Sequence, residues 1–420
     1  MMRTTYAPRI GLLFLAFLSF LTVLPAVRSE VGGSSAAGTG GGESGTGIFS
    51  GPPFLVSVSV RGGYDDNVST SNFNRQASWF TNTGISASYS FGSPRTRFDL
   101  QAGAGVTYYL KSVAGDNYDP NLNINFSITH KATARLTLSA VVYATYQQEP
   151  DFSVGIGLNR RSGNYFYSSD KFTATYLWTP RFSTATSYTL GAVHYDNSAV
   201  SSYADRLENT FGNEFRFLLW PTTTVVGEYR FQLVSYDDIN RDSTTNFVLA
   251  GFDHNFSPRL SMSFRGGAEF RSYDAGGDQS SPYFEGTLNY AVGKDTMLSW
   301  TNRYAIEEPD VPLNPSRTTF RAGLSLKHNF TARISGTLSA YYTHDDYEAI
   351  TTYPFAPFFF FPVVTPAFSE DSFDLAISVR YAVTRYLALE AGYNHSEVAS
   401  DEVLREYSRN RIFAGVELTF

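Results

Sequence analysis

The residues best suited to chemistry in this chain are its six histidines and its acids, because the sequence contains no cysteine. The lack of cysteine excludes disulfides, thiolate metal sites and cysteine nucleophiles. Three histidines, His130, His254 and His328, each precede an arginine by five residues. Equal spacing suggests a metal site, but these residues fall in separate turns that would lie apart around a wide rim. We therefore expect no metal site and no cofactor.

The sequence also gives little support for catalysis. His344 lies beside Asp345 and Asp346, the one histidine and acid grouping that could provide a general base. After the N-terminal region there is no GxSxG, HExxH or phosphate-binding loop string. The sequence predicts no catalytic residue and a protein that is not an enzyme.

Charged side chains instead recur two residues apart. Glu and Arg alternate in this way at 214/216, 228/230 and 269/271. Residues two apart lie on the same face of a β-strand, so this spacing predicts ion pairs along strands and not along helices. Such pairs could stabilise the shape of a β-sheet wall, or they could set the electrostatic field that acts on a solute. The sequence does not separate these two roles.

The elements that position these residues show an alternation of apolar and polar side chains. In 54–60, 136–144 and 320–326, one face is apolar while the opposite face carries Ser, Thr and Arg. This period of two is typical of strands with one face in an apolar environment and the other in contact with water. Charged residues make up only 17% and aromatic residues 16% of the chain, whereas a soluble domain averages about 25% charge.

The connections between these strands alternate between short and long. Short turns are predicted near 92–95, 131–134, 179–181, 219–222, 256–258, 292–295, 329–332 and 382–385. Longer loops are predicted near 64–77, 111–120, 148–164, 197–206, 237–244, 274–281, 308–316, 347–370 and 396–407. Together they predict an all-β fold, a transmembrane antiparallel up-and-down β-barrel of about 18 strands, with 16 as the alternative.

A barrel of this size encloses more space than side chains can fill, so a water-filled lumen is expected. The alternation places fourteen charged residues toward the lumen: Arg61, Arg97, Asp99, Glu214, Arg216, Glu228, Arg230, Arg265, Glu269, Arg271, Glu285, Arg303, Arg321 and Arg380. The segment 353–368, YPFAPFFFFPVVTPAF, breaks the polar character of the loops. We expect it to be buried on the rim or to narrow the pore, and its candidate constriction residues are Phe355, Phe358, Phe359, Phe360 and Phe361.

The two ends of the chain indicate its destination. Residues 1–29 carry early arginines and an apolar run, which predicts a secretory signal peptide with an uncertain cleavage bond, although a retained anchor stays open. Residues 30–51 are rich in Gly and Ser and predict a flexible periplasmic leader before a barrel at 52–420. Removing 1–29 takes away three of the 32 Lys and Arg and no acid, so the net charge changes from −7 to −10. An acidic chain argues against nucleic acid as a partner.

The final strand ends in alternating apolar residues, Val416, Leu418 and Phe420. A terminal Phe after such an alternation resembles the assembly signal of outer-membrane barrels. With Tyr64-Asp65-Asp66-Asn67 closing the first strand and the eighteen-strand pattern from about 54 to 420, the chain resembles the putative beta-barrel porin 2 family.

That family includes outer-membrane barrels associated with exopolysaccharide secretion. The resemblance implies an outer-membrane channel, and the function we expect first is a conduit for exopolysaccharide. A general diffusion porin for small solutes and a structural or adhesive barrel without transport are the alternatives. Implied partners are outer-membrane lipids, lipopolysaccharide, the barrel assembly machinery and, for the first reading, exopolysaccharide and a periplasmic export partner. The transported solute, ion preference and oligomeric state stay open.

Overall fold

The architecture was obtained from a computed structural model, which describes residues 54–113, 116–155, 158–352 and 363–420. The predicted signal peptide, the predicted leader and most of the Phe-rich segment lie outside the described residues. Within the described part, nearly all of the chain is β-strand, as the alternation predicts.

Eighteen long strands form one sheet. They are β1 (Phe54–Asp65), β2 (Ser78–Gly92), β3 (Thr96–Val113), β4 (Asp116–Lys131), β5 (Leu136–Gln147), β6 (Tyr165–Thr179), β7 (Phe182–Tyr195), β8 (Arg206–Trp220), β9 (Thr223–Tyr236), β10 (Ser243–Ser257), β11 (Leu260–Tyr273), β12 (Asp278–Val292), β13 (Thr296–Glu307), β14 (Arg317–Asn329), β15 (Ile334–Tyr347), β18 (Phe368–Ala382), β19 (Leu387–Ser400) and β20 (Tyr407–Thr419). A short ribbon, β16 (Ile350–Thr352) with β17 (Val363–Thr365), and one helix, α1 (Ser198–Ala204), lie in the connections.

The sheet closes on itself. Each strand pairs antiparallel with its neighbours in the chain, and β15 pairs directly with β18. The seam joins β1 to β20 from Ser57↔Thr419 to Asp65↔Arg411. Closure pairs the backbone groups of every strand, which matters because an unpaired N–H or C=O in hydrocarbon costs several kcal/mol. The prediction of an 18-strand barrel is confirmed, and the 16-strand alternative is wrong.

Five of the eight short turns share a pair of hydrogen bonds to a Ser or Thr hydroxyl, which explains their similar sequences. In the turn after β4, the Thr133 hydroxyl accepts the backbone N–H of Arg135 at 3.1 Å and of Leu136 at 2.9 Å. The same pair of bonds recurs at Thr179, Ser257, Thr331 and Thr384. The hydroxyl satisfies backbone donors that the ladder leaves free, so Ser or Thr at this position stabilises these five turns.

The long connections differ from the predicted loops in two places. The stretch 111–120 was expected to be a loop, but β3 continues to Val113 and β4 begins at Asp116, so the hairpin extends beyond the neighbouring strands. Residues 197–206 include the helix α1, which Asn197 caps by accepting the N–H of Ala199 at 3.1 Å. No helix in the described ranges is long and apolar enough to cross a membrane.

The outer face of the sheet is apolar and exposed. Along β1 and β20, Val58, Val60, Ile412 and Val416 each expose about 40% or more of their surface. Bulky aromatic side chains mark the strand ends, with Trp79 at 60% and Trp220 at 61% exposure. Exposed apolar strands flanked by Trp are what a lipid bilayer accommodates, so this face meets lipid.

Candidate functional site: the barrel lumen

The face opposite the lipid is identified by contacts between strands that are not neighbours. Arg61 on β1 donates to Glu390 on β19 at 2.8 Å, across the intervening β20. Gly415 on β20 lies between them in register, and a Cβ there would stand 2.7 Å from the Cγ of Arg61. The glycine therefore leaves room for the ion pair, and we infer that this face lines the lumen.

The inner faces of β8–β14, here called the charged wall, carry ion pairs that link several strands. Arg216 on β8 donates to Glu214 at 2.6 Å and to Asp253 on β10 at 2.5 Å. Arg265 on β11 bonds the same Asp253 at 2.9 Å. The sheet thus places the acids of one strand against the arginines of another, and the pair 214/216 forms as its spacing predicts.

A second cluster lies next to the first. Arg230 on β9 donates to Glu228 at 2.5 Å and to Glu285 on β12 at 2.5 Å. The third predicted pair, 269/271, does not bond within itself. Arg271 donates to Glu308 at 2.7 Å, and Glu269 accepts the backbone N–H of Ile306 at 2.5 Å. Sequence spacing alone could not show that a neighbouring strand and loop offer these partners.

Other residues expected in the lumen form smaller pairs. Arg97 bonds Asp99 at 2.9 Å, Arg380 lies 3.3 Å from Glu417, and Arg303 lies 3.7 Å from Glu307. Each pair stands on the face inferred to be lumenal. The fourteen predicted residues therefore spread around the wall and do not converge on one centre.

The inner faces of β2–β5, here called the neutral wall, are different. Asn, Gln, Ser, Thr and Gly dominate this face. In the described residues it carries no charged group on β2 or β5, and on β3 and β4 only near the strand ends, at Arg97, Asp99, Lys111, Asp119 and Lys131. The lumen therefore has a charged side and an uncharged polar side.

The loop between β5 and β6, residues 148–164 and here called the crossing loop, contacts distant parts of the wall. On one side, Arg161 bonds the Asp119 carboxylate of β4 and donates to the carbonyl of Val68 at 3.0 Å. Near its start, Glu149 accepts from Arg409 of β20 at 2.6 Å. These buried charge-assisted bonds fasten the loop to the neutral wall and the seam.

The same loop is also fastened on the far side. Arg321 of β14 donates to the carbonyl of Val154 at 2.8 Å, and Asn159 donates to Glu370 of β18 at 2.8 Å. Seven strands, β7–β13, separate β6 from β14 in one direction, and nine separate them in the other. The root of the loop at β6 and its contact with Arg321 thus stand on almost opposite sides of the ring, and the loop spans the lumen.

Two further loops pack against the crossing loop: residues 308–316 between β13 and β14, and residues 401–406 between β19 and β20. Asp310 of the first accepts from Arg405 of the second at 2.8 Å and from Tyr347 at 2.5 Å. Arg405 also donates to Glu370 at 2.7 Å, the residue that Asn159 of the crossing loop reaches. One buried network therefore joins the three loops.

The helix α1 adds an apolar contact to this network. Leu158 of the crossing loop is only 4% exposed and packs in a cluster with Tyr165, Val193, Tyr195, Val200 and Ala204. The crossing loop and the loop at 308–316 line a small cavity of about 10 Å³, room for about one water molecule. The outer mouth is consequently narrowed by packed protein.

Arginines around the mouth keep its acids charged. Burial alone would raise the pKa of Asp310, but the Arg405 guanidinium holds it well below the ordinary carboxylate value. Burial opposes ionisation of Glu149 too, and Arg409 lowers its pKa well below that of a free Glu. Neighbouring arginines lower the pKa of Glu308 against the same effect. These carboxylates stay ionised at neutral pH and hold the loops electrostatically.

The crossing loop is a candidate constriction that the sequence did not single out. Phe355, Phe358, Phe359, Phe360 and Phe361 lie outside the described residues. Sequence reasoning placed 148–164 among ordinary loops. A signal was present: Phe152, Val154 and Leu158 alternate with polar residues in a seventeen-residue connection, which an exposed loop would not need.

Three of the six histidines lie near strand ends and have hydroxyl partners. His130, His254 and His328 accept from or donate to Thr96, Thr223 and Thr296 at 2.7 to 2.8 Å. His344 lies at 2.9 Å from Asp371 on the outer face and away from the lumen. In the described ranges no group of three His, Asp or Glu residues could hold a metal ion.

The predicted assembly signal lies on the outer face of β20. Val416, Leu418 and Phe420 are 42%, 40% and 64% exposed, and the N–H of Phe420 donates to the carbonyl of Val56 at 2.8 Å. Their position next to the seam suits a recognition strand. That they act as a signal stays a prediction.

A closed barrel with a lipid-compatible outer face and a polar interior defines a porin-like protein of the bacterial outer membrane, in contact with its lipids and lipopolysaccharide. More particularly, the chain belongs to the putative beta-barrel porin 2 family, whose model matches residues 46–420. Barrels of this family are typically channels without enzymatic activity. No curated protein matches the chain.

Among solved structures, the chain is similar to a BenF-like porin from Pseudomonas fluorescens Pf-5, with 12% identity, a TM-score of 0.43 and coverage of 87% of this chain and 99% of that one. It is also similar to OccAB3 of Acinetobacter baumannii, with 11% identity, a TM-score of 0.41 and coverage of 87% and 99%. The siderophore receptor PirA of Acinetobacter baumannii matches with 8% identity, a TM-score of 0.41 and coverage of 87% and 80%.

Proposed function

We propose that this barrel is a conduit through which an exopolysaccharide crosses the outer membrane, and that it catalyses no reaction. The observation that supports the proposal most directly is the wide ring of eighteen strands with an inner face that is mostly polar. A hydrated polymer needs such a surface, because its hydroxyls keep hydrogen-bond partners throughout the passage. Membership of the family adds to this support.

In this proposal a polymer chain enters at the periplasmic rim, where the turns are short. It then passes beside the crossing loop in single file, since that loop divides the outer part of the lumen. An N-terminal signal peptide at 1–29 delivers the chain to the periplasm, and the barrel assembly machinery inserts it. A periplasmic export partner hands the polymer to the rim.

A second candidate is a diffusion porin for small solutes. The observation that favours it is the double anchorage of the crossing loop, which fixes a narrow passage. A fixed constriction suits a size filter, whereas a polymer conduit gains from a loop that yields. A structural or adhesive barrel without transport is the third reading.

The deciding experiment deletes the gene in a strain that makes exopolysaccharide and measures the polymer in the medium and in the periplasm. The conduit predicts loss from the medium with accumulation inside, restored by the wild-type barrel. Unchanged secretion would rule the conduit out. The purified barrel in a planar bilayer then separates the remaining readings, because ion currents indicate a diffusion porin and their absence indicates a structural barrel.

A further inference from the structure

The neutral wall carries a row of free amides. Asn121, Asn123 and Asn125 follow one another on the inner face of β4, with Gln101 beside Asn125 on β3. With a rise of about 3.3 Å per residue, the three asparagines extend over about 13 Å. Here they are called, together with Gln101, the amide lane.

Glycines make room for this lane. Gly103 and Gly105 on β3 lie opposite Asn123 and Asn121 in register. A Cβ on Gly103 would stand 2.9 Å from the amide of Asn123, and one on Gly105 would stand 2.6 Å from the oxygen of Asn121. The amides therefore lie over the backbone of β3, and any side chain at these glycines would displace them.

The amide groups of the lane are largely free of hydrogen bonds to the protein. Across the part of the chain that the structure describes, Asn121, Asn123, Asn125 and Gln101 have no side-chain hydrogen bond, whereas nearby Asn82 donates to Thr107 at 2.9 Å. Gln101 and Asn123 are exposed. Each amide offers two donors and one acceptor oxygen. These groups are available to a solute in the lumen.

An aromatic pair borders the lane. Tyr143 on β5 is the register partner of Asn125, and its ring lies 6.0 Å from that of Tyr167 on β6. An aromatic ring offers a flat apolar surface, while the adjacent amides offer donors and acceptors. A sugar ring presents the complementary groups, an apolar face of C–H bonds and a rim of hydroxyls.

The charges around the amide lane favour uncharged sugars over charged ones. At its outer end Asp119 is paired with Arg161, and toward the periplasm Asp99 is paired with Arg97. These ions compensate each other. Lys111 and Lys131 lie only near the strand ends, and Asp151 of the crossing loop lies beside the Tyr143 hydroxyl. The four amides themselves carry no charge to attract a uronic acid or an amino sugar. A charged polymer would also lose hydration here without gaining a counter-ion.

We propose that the amide lane and Tyr143 bind an uncharged oligosaccharide segment. This inference rests on the proposed function in that it names the class of polymer for the conduit, a neutral glycan that passes along the β2–β5 side. Binding in the lane itself is a separate property and is measured separately.

The test uses the full barrel in detergent and two fluorescent probes of equal length, neutral maltoheptaose and negatively charged heptagalacturonate, followed by fluorescence polarisation. We expect the wild type to bind the neutral probe at least about tenfold more tightly. The double variant Asn123→Leu/Asn125→Leu and the variant Tyr143→Ala should each weaken that binding about tenfold or more. Equal affinity for both probes, or no binding by the wild type, would overturn the proposal.

Two controls separate binding from folding. Asn289→Leu removes an inward amide from β12, outside the lane, and should leave binding unchanged. Tyr143→Phe keeps the ring and should retain most of the affinity. Each variant must migrate as a folded barrel before boiling. If both lane variants fold and bind like the wild type, the amide lane is not the binding site.

The proposal and the conduit can fail independently. Secretion that stops on gene deletion but is normal in the Asn123→Leu/Asn125→Leu strain would reject the amide lane as a glycan site and support the conduit. Loss of probe binding in that variant, with secretion unaffected by gene deletion, would keep the lane and reject the conduit.

Discussion

The charged wall and the neutral wall of the same lumen use polar groups in opposite ways. On β11 of the charged wall, Glu269, Arg271 and Arg265 are 0%, 2% and 6% exposed, because they bond β13, the loop at 308–316 and β10, respectively. On the neutral wall, Gln101 and Asn123 are exposed and bond nothing in the described residues. The side with more charge therefore offers fewer free groups to a solute, and the neutral side is the one available for recognition.

The largest test of this comparison removes the loop that joins the two walls. Replacing residues 150–162 with a short Gly-Ser linker should raise the single-channel conductance several-fold, because the loop spans the lumen from β5 and β6 to Arg321 on β14. Conductance in planar bilayers measures the effect. The control Arg75→Ala removes an exposed pair with Asp66 and should leave the conductance unchanged. No increase after the replacement would mean that the loop does not limit the passage.

The next effect concerns the anchorage of the loops to the wall. Glu370→Ala leaves Arg405 without the carboxylate at 2.7 Å and takes away a bond from Asn159. Removing one partner of a buried ion pair costs about 3–5 kcal/mol, so the mouth loops should open locally. Limited proteolysis of the barrel in detergent should cut within 148–164 at lower protease concentrations.

A matched control for the anchorage is Glu397→Ala on the outer face of β19. Glu397 is 57% exposed and lies 3.6 Å from His395, a pair that solvent screens. Its loss should not change the cleavage. Identical digestion of the Glu370 variant and the wild type would show that the network does not hold the loops.

The mouth should also respond to acid. A group whose pKa is lowered in the folded protein stabilises the fold at pH values above its unfolded pKa, and the contribution is lost as pH falls through the folded pKa. Asp310 and Glu308 are such groups. The contribution of these two groups should therefore persist down to about pH 4, the ordinary carboxylate range, and conductance should rise as the pH falls below it.

The variant Asp310→Asn checks the source of this acid response. It should open the mouth at neutral pH and reduce the change on acidification, because Arg405 then has only Glu370 as a charged partner. A full acid response in this variant would assign the effect to other carboxylates.

The smallest expected effect is on ion selectivity. Glu285→Gln removes a charge from the charged wall, but Arg230 keeps Glu228 at 2.5 Å, so the change should be slight. Ser86→Asp adds a charge to the neutral wall, where nothing compensates it, and should increase cation preference about twofold or more. Reversal potentials in a salt gradient compare the two, and a larger shift for Glu285→Gln would contradict the comparison.

The sequence predicts the strands and their number well, since a period of two and the Ser or Thr turns are local signals. The route of the crossing loop is not local. Its anchors, Arg321 and Glu370, lie more than 150 residues further along the chain. The same limit explains why Glu269 and Arg271 were expected to pair with each other. Their actual partners, Ile306 and Glu308, come from β13 and its loop.

The pairing of β1 with β20 has a consequence for anything inside the barrel. Hydrogen bonds run along this junction from Ser57↔Thr419 to Asp65↔Arg411, so the wall has no sideways exit into the bilayer. A glycan that has been threaded can leave only through one of the two openings. In the proposed conduit, the direction of travel must then be imposed from outside the barrel, by whatever binds or lengthens the polymer on the periplasmic side.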